Sequence, residues 1–275
     1  MGEKGLYSNP ALSPDGKLLA YGKTDAKLKT RDLWVLDLQR NTPTRLTSDP
    51  ADDLNPVWSP DGRWVYFTSE RKAGRQIYRK PASGVGGEEL ILASEDRKNL
   101  EDITPDGRTL IFNYQRTGAI GKVYAVSVDH PAQPVPVIES EFADDQAQIS
   151  PNGRWIAYRS AESGHMEVYV QTFSLDPKRP RGKWRISTAG GLEPRWAPDG
   201  KELFYIDRNT LFAVEVKTDG PAFEAGVPRR LFPAELGPIL RNRYVISKSG
   251  DILVNAVQDE AATAPIEVIV NWSPK

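Results

Sequence analysis

The tetrapeptide Ser59-Pro60-Asp61-Gly62 constrains this chain more than any other stretch, because it recurs. The same four residues stand at 13–16, and near copies stand at 104–107, 150–153 (with Asn152 for aspartate), 197–200 and 247–250. The glycine falls at 16, 62, 107, 153, 200 and 250, in steps of 46, 45, 46, 47 and 50 along 275 residues. A fixed period in this range predicts a repeat architecture, in which each unit buries its apolar face only against its neighbours.

Each tetrad reads as the tight turn of a hairpin. Proline presets φ for the second position of a type I turn, and aspartate can hydrogen-bond its own backbone. Glycine takes the left-handed conformation that returns the chain antiparallel. The stretch after Gly62, Arg63-Trp64-Val65-Tyr66-Phe67-Thr68, is β-branched and aromatic, as a strand requires. Gly62 is therefore expected to resist substitution, and Gly86, in the glycine-rich loop 83–87, to tolerate it.

Four strands read out of each of the first five repeats: 9–13, 18–23, 32–38, 44–47; 55–59, 64–69, 76–80, 89–92; 100–104, 109–114, 122–128, 135–138; 146–150, 155–160, 167–173, 183–187; 193–197, 202–207, 210–217, 229–232. The sixth gives three, 243–247, 251–257 and 266–272, so its blade is expected to be three-stranded or patched by a short strand near residues 4–7. No segment shows a 3.6-residue apolar period. The expected fold is all-β: a six-bladed β-propeller of four-stranded antiparallel blades, whose closure protects strand edges. Blade limits fall near 1–48, 49–94, 95–139, 140–188, 189–233 and 234–275, making one domain.

Charge balance narrows the function. Lys+Arg 36 against Asp+Glu 37 leaves a net charge of −1, with no basic excess for nucleic acid. No apolar run approaches the roughly 20 residues of a membrane span, and the first residues carry no secretion signal. Cysteine is absent, so disulfides and thiolate chemistry are excluded.

The innermost strands carry the candidate site. Counting back from the residue that opens each tetrad, positions one and three are mostly apolar or proline. Positions two and four are often polar: Asn55, Asp102, Gln146, Gln148, Glu193, Arg195 and Arg243. Period-two alternation would place these polar residues near the propeller axis, in a funnel for a protein, a peptide end or a small polar ligand. Asp53 and Asp145 are added from the acid pairs Asp52-Asp53, Glu101-Asp102 and Asp144-Asp145, which lie at or beside innermost strands. The pairs are expected to cap turns and solvate the rim; the sharper alternative is an acidic, calcium-binding ring at the channel mouth. Otherwise no cofactor or metal is expected. His130 and His165 both sit in turn-like settings and are expected at the surface. No Gly-x-Ser-x-Gly elbow occurs, so catalysis is not expected. The enzymatic alternative is a propeller hydrolase or lyase using channel-mouth carboxylates. Trp58, Trp64, Trp155 and Trp196 recur at repeat positions and read as core.

The repeating pattern of an apolar or Trp residue, then SPDG, a strand and an Ile/Val-Tyr strand, resembles the TolB-type, WD-like propeller repeats of bacteria. Trp155-Ile156-Ala157-Tyr158, Glu167-Val168-Tyr169-Val170, Lys183-Trp184-Arg185-Ile186-Ser187, Glu193-Pro194-Arg195-Trp196 and the closing Val270-Asn271-Trp272 are similar to propellers attached to bacterial serine/threonine protein kinases. That resemblance implies a sensory or scaffolding, ligand- or protein-binding module outside the cytoplasm. No kinase motif accompanies it, and the α/β domain that precedes the TolB propeller is not present.

Overall fold

The computed structural model describes residues 6–72, 74–93, 95–131, 133–179, 181–220, 222–234, 236, 241–256 and 266–269. Among them no residue is helical, so no helix is long and apolar enough to cross a membrane. The described residues form six antiparallel sheets. The first holds β1 (Tyr7–Leu12), β2 (Leu18–Thr24), β3 (Arg31–Asp37) and β4 (Thr42–Arg45), paired in that order. The second holds β5 (Asp53–Trp58), β6 (Trp64–Ser69), β7 (Gln76–Pro81) and β8 (Glu89–Leu92). The third holds β9 (Arg97–Ile103), β10 (Thr109–Gln115), β11 (Lys122–Ser127) and β12 (Val135–Pro136). The fourth holds β13 (Asp144–Ile149), β14 (Trp155–Ser160), β15 (Glu167–Thr172) and β16 (Lys183–Arg185).

The fifth sheet has one strand more than expected. It runs β17 (Leu192–Trp196), β18 (Glu202–Asp207) and β19 (Thr210–Lys217), and β19 carries both β20 (Glu224–Ala225) and β21 (Arg229–Pro233) on its outer edge. The sixth holds β22 (Tyr244–Ile246), β23 (Ile252–Asn255) and β24 (Ile266–Ile269), three strands among the described residues. Residues 270–272 of the expected last strand, and residues 4–5, lie outside the described set. Tyr7 does not patch the sixth sheet. It extends β1, pairing with Lys23, while Thr24 N–H donates to the Leu6 carbonyl.

Every tetrad turns as its residues dictate. In the second repeat Gly62 N–H donates to the Ser59 carbonyl at 2.9 Å, and the Ser59 hydroxyl donates to Asp61 Oδ1 at 2.6 Å. That hydroxyl also accepts Trp64 N–H at 2.9 Å, so one serine closes the turn and starts the next strand. The Ser59 hydroxyl and then the Arg63 backbone N–H hold the Asp61 carboxyl at about 2. Gly62 has φ +70°, and a Cβ there would meet only the Pro14 ring, at 3.8 Å. Gly86 also has positive φ, +110°, and a Cβ there would fall 3.3 Å from Pro81 Cγ, so its expected tolerance is corrected: the loop has a left-handed residue of its own. Gly87, with nothing within 4 Å, is the true slack position. Gly62→Val is therefore expected to cost at least ~1 kcal/mol more than Gly87→Val, because β-branched residues resist positive φ. Urea unfolding midpoints check this, and coincident midpoints contradict it.

Two compact units emerge, one from Met1–Leu100 with Glu235–Ser273, the other from Glu101–Ala234. In the first, chain start and chain end share a core: Tyr7, Leu19, Tyr21 and Leu36 pack with Val245 and Leu253. Asn255 Nδ2 adds a 2.8 Å bond to the Tyr7 carbonyl. A second core joins the first two sheets through Ala20, Leu33, Trp58, Val65 and Phe67. In the second unit, Ile111, Val123 and Ala125 pack against Ile149, Ile156 and Tyr158, and Trp155, Ala157 and Val168 pack against Trp196, Leu203 and Tyr205.

Candidate functional site

The innermost strands do not alternate simply, and the reason is a repeated bulge. Register shifts interrupt β1 between Ser8 and Ala11, β5 between Leu54 and Val57, β13 between Asp145 and Gln148, and β17 between Leu192 and Arg195. At each bulge the first extra residue is left-handed: Asn9 (φ 52°), Asn55 (52°), Gln146 (57°) and Glu193 (52°). Position four back is thus taken out of the face that position two back occupies. The expected single polar face splits into two sets with different surroundings.

The first set is buried. Glu193 is 0 % exposed, Asn55 and Gln146 are 4 % exposed, and Arg243 is 5 % exposed. The Asn55 and Gln146 side chains meet the equivalent place one repeat away. Asn9 Nδ2 donates to Asn55 Oδ1 at 3.0 Å, and Gln146 Oε1 accepts Glu193 N–H at 2.8 Å. Glu101, which sequence reasoning saw only as half of an acid pair, accepts Gln146 N–H at 2.6 Å and Ala147 N–H at 2.9 Å. Its role was legible in one difference. Pro10, Pro56 and Pro194 fill the second bulge position in three repeats and have no N–H, whereas the fourth has Ala147, whose N–H needs an acceptor. Glu101 supplies it.

Asp53 and Asp145 stand apart from both sets. Asp53 is the first residue of its strand and Asp145 the second, and each holds an arginine: Arg159 grips Asp145 through two bonds of 2.6 and 2.7 Å. Arg71 lies 3.2 Å from Asp53 and 3.4 Å from Asp49, pairs with Glu88, and covers the Tyr78 ring at 4.7 Å. Burial raises Asp53 to about 6, against the pull of Ser69 and Arg71. His165 Nε2 and Glu167 Oε1 are hydrogen-bonded at 2.7 Å. Among the described residues no three His, Asp or Glu side chains converge as a metal site requires.

The second set is Asp102, Gln148 and Arg195, at one register position of three successive inner strands, β9, β13 and β17. Asp102 and Gln148 are half-buried, and Arg195 is 9 % exposed. Asp102 Oδ2 accepts Ile149 N–H at 2.6 Å, Gln148 Nε2 donates to the Glu101 carbonyl at 2.9 Å, and Arg195 donates to the Pro194 carbonyl at 2.9 Å. Lost hydration raises the Asp102 carboxyl to about 6, opposed by the Ile149 and Ile103 N–H groups and by the Arg195 charge. With its folded pKa above the ordinary 3.8, Asp102 favours folding most below pH 4 and loses that contribution as pH rises through about 6. Asp102→Asn should therefore gain on the parent protein between pH 4.5 and 7.5. We expect about 1 kcal/mol, discounted for the water the group still meets. Melting curves of both proteins across this range check it; a constant difference contradicts it.

Chemically, this trio offers a carboxylate, an amide and a guanidinium in a row, suited to hydrogen-bonding a polypeptide. Nothing in it pairs a nucleophile with a base. Successive antiparallel sheets, each with the same turn between its first two strands, make the molecule a β-propeller. The chain belongs to the TolB beta propeller domain family, whose profile matches residues 2–181.

An uncharacterized protein of Agrobacterium fabrum is 26 % identical over 203 residues, 71 % of this chain and 68 % of that protein. The Tol-Pal system protein TolB of Francisella tularensis is 28 % identical over 202 residues, 71 % of this chain but 45 % of its own length. The chain thus spans about half the length of the TolB protein it matches. The solved TolB of Acinetobacter baumannii superposes with a TM-score of 0.68 at 16 % identity, over 96 % of this chain and 60 % of that one. The fold is also shared with a puromycin-hydrolyzing peptidase of Mycobacterium tuberculosis (TM-score 0.64, 17 % identity, 91 % of this chain and 43 % of that one). An oligogalacturonate lyase in complex with manganese shares it too (0.63, 13 %, 93 % and 72 %). The resemblance to kinase-attached propellers has no counterpart among these relatives.

Proposed function

We propose that this chain is a single six-bladed propeller that binds a protein partner without catalysis, as a component of a periplasmic assembly. Its partner would be read by Asp102, Gln148 and Arg195. The observation that carries this reading is how the inner polar residues are employed. Glu101 and Gln146 are spent on backbone amides of neighbouring sheets, and Asp53 and Asp145 on arginines. Asp102 and Gln148, at one register position of successive inner strands, keep their polar groups at partial exposure, and Arg195 holds that register in the next inner strand at 9 % exposure. Family membership supports it too, since a Tol-Pal system protein is by name one part of a larger system. The likeness to a lyase and a peptidase is one of fold, and the carboxylates an enzyme would need are the ones already engaged. A sensor role draws no support from the relatives, and we do not carry it forward.

The test places a photo-crosslinking residue at Gln148, and separately at Val85, in the chain expressed to the periplasm. A discrete protein adduct from position 148 and none from 85 is expected. Val85 is 79 % exposed, so it reports random collision. Equal adducts from both positions, or none from 148, would count against the reading.

A further inference from the structure

One surface outside the trio presents apolar side chains to water at a cost the fold does nothing to avoid. Phe142 is 43 % exposed and Ile120 is 47 % exposed, on the segments that lead into β13 and β11. Scattered exposed apolar residues are ordinary. These two are held in place together. Lys122 Nζ, next to the Ile120 loop, donates to the Phe142 carbonyl at 2.8 Å and also to the Ser140 carbonyl. Asp144 N–H donates to the Gly121 carbonyl at 3.2 Å, and Phe142 N–H to the Ser140 hydroxyl at 3.1 Å. Gly121 lets the loop come this close, because a Cβ there would fall 2.6 Å from the Asn113 amide, which itself donates to the Asp144 carbonyl at 2.9 Å. A fixed, exposed aromatic costs little entropy to bury on binding, which is how an interface anchor is built.

The charges around it choose the partner. Glu139 and Glu141 flank Phe142, both exposed, and join none of the ion pairs among the described residues. Lys122, the neighbouring cation, is turned onto two carbonyls. The surface is therefore apolar at its centre and negative at its rim. We propose that Ile120 and Phe142 dock a cationic polypeptide segment that offers an apolar side chain between lysines or arginines. Anionic lipid is disfavoured by the same two glutamates.

The probe is a fluorescent twelve-residue peptide of alternating Lys and Leu, compared with one in which Glu replaces Lys and one in which Ser replaces Leu. Binding is read by anisotropy at 50 and 500 mM salt. The parent protein is expected to prefer the Lys/Leu peptide at least tenfold over both others and to weaken with salt. Phe142→Ser and the double change Glu139→Lys with Glu141→Lys should each lose at least tenfold, while Leu175→Ser, at a residue 45 % exposed elsewhere, binds as the parent does. Equal binding of the Lys/Leu and Glu/Leu peptides, no binding at all, or unchanged binding by both site variants overturns the proposal. So does a sedimentation shift to a dimer that Phe142→Ser abolishes, which would assign the surface to a second copy. Gln148 plays no part in this test, so its outcome is independent of the crosslinking experiment.

Discussion

Trp155→Ala is expected to cost about 4 kcal/mol of stability and Trp64→Ala about 1 kcal/mol, although the two residues occupy the same place in nearly identical turns. Both follow an arginine one residue beyond the tetrad glycine. Trp155 is 3 % exposed, packs edge-on to Trp184 at 5.5 Å and against Phe223 at 5.4 Å, and donates its indole N–H to the Thr218 carbonyl at 2.9 Å. The segment from Thr218 to the short β20 accounts for the difference. Arg154 binds the carbonyls of Thr218, Asp219 and Gly220, and Asn152 Nδ2 donates to the Thr218 carbonyl at 3.1 Å. Trp64 has no such cover and lies half-buried under the Arg79 guanidinium at 4.2 Å. Urea unfolding of the two variants measures the contrast, and equal losses would show that segment 218–226 adds nothing to the core.

Glu101→Ala is expected to cost about 3 kcal/mol. It removes a buried carboxylate and leaves the N–H groups of Gln146 and Ala147 without their acceptor, each worth about 1–3 kcal/mol when buried and unpaired. Glu101→Gln keeps one acceptor oxygen and should lose about half as much. Glu101→Ala combined with Ala147→Pro should recover part of the loss, since proline removes one of the stranded donors as it does in three other repeats. Melting and denaturant curves of the three variants test this; no recovery in the double variant would mean the bulge amides are met elsewhere.

The repeat, the turns and the all-β fold were legible because glycine and proline act locally, within four residues. The inner strands were read too short. β1, β5 and β13 begin at Tyr7, Asp53 and Asp144, two residues before the expected starts, since each bulge breaks the alternation that marks a strand. For the same reason Glu193 and Arg243 were expected to line a funnel, yet both are buried, and their replacement would be felt by the fold. Asn152 marks a turn that donates across to another segment as well as accepting: its oxygen takes Arg154 N–H at 3.1 Å while its nitrogen holds the Thr218 carbonyl. An aspartate there would face the Thr218 carbonyl and the Asp219 carboxylate with no proton to share. The sequence showed the substitution, but only segment 218–226, about 66 residues away, explains it.

The division of the inner polar residues into those that latch sheets and those that face a partner is tested most directly by separating the two properties. Glu101→Gln and Arg195→Gln are each combined with the photo-crosslinking residue at Gln148, and the melting temperature and adduct yield are measured for both. Glu101→Gln should melt several degrees lower and still form the adduct, and Arg195→Gln should melt within a few degrees of the parent while its adduct falls at least tenfold. An Arg195→Gln protein that keeps its adduct, or a Glu101→Gln protein that melts as the parent does, would contradict that division.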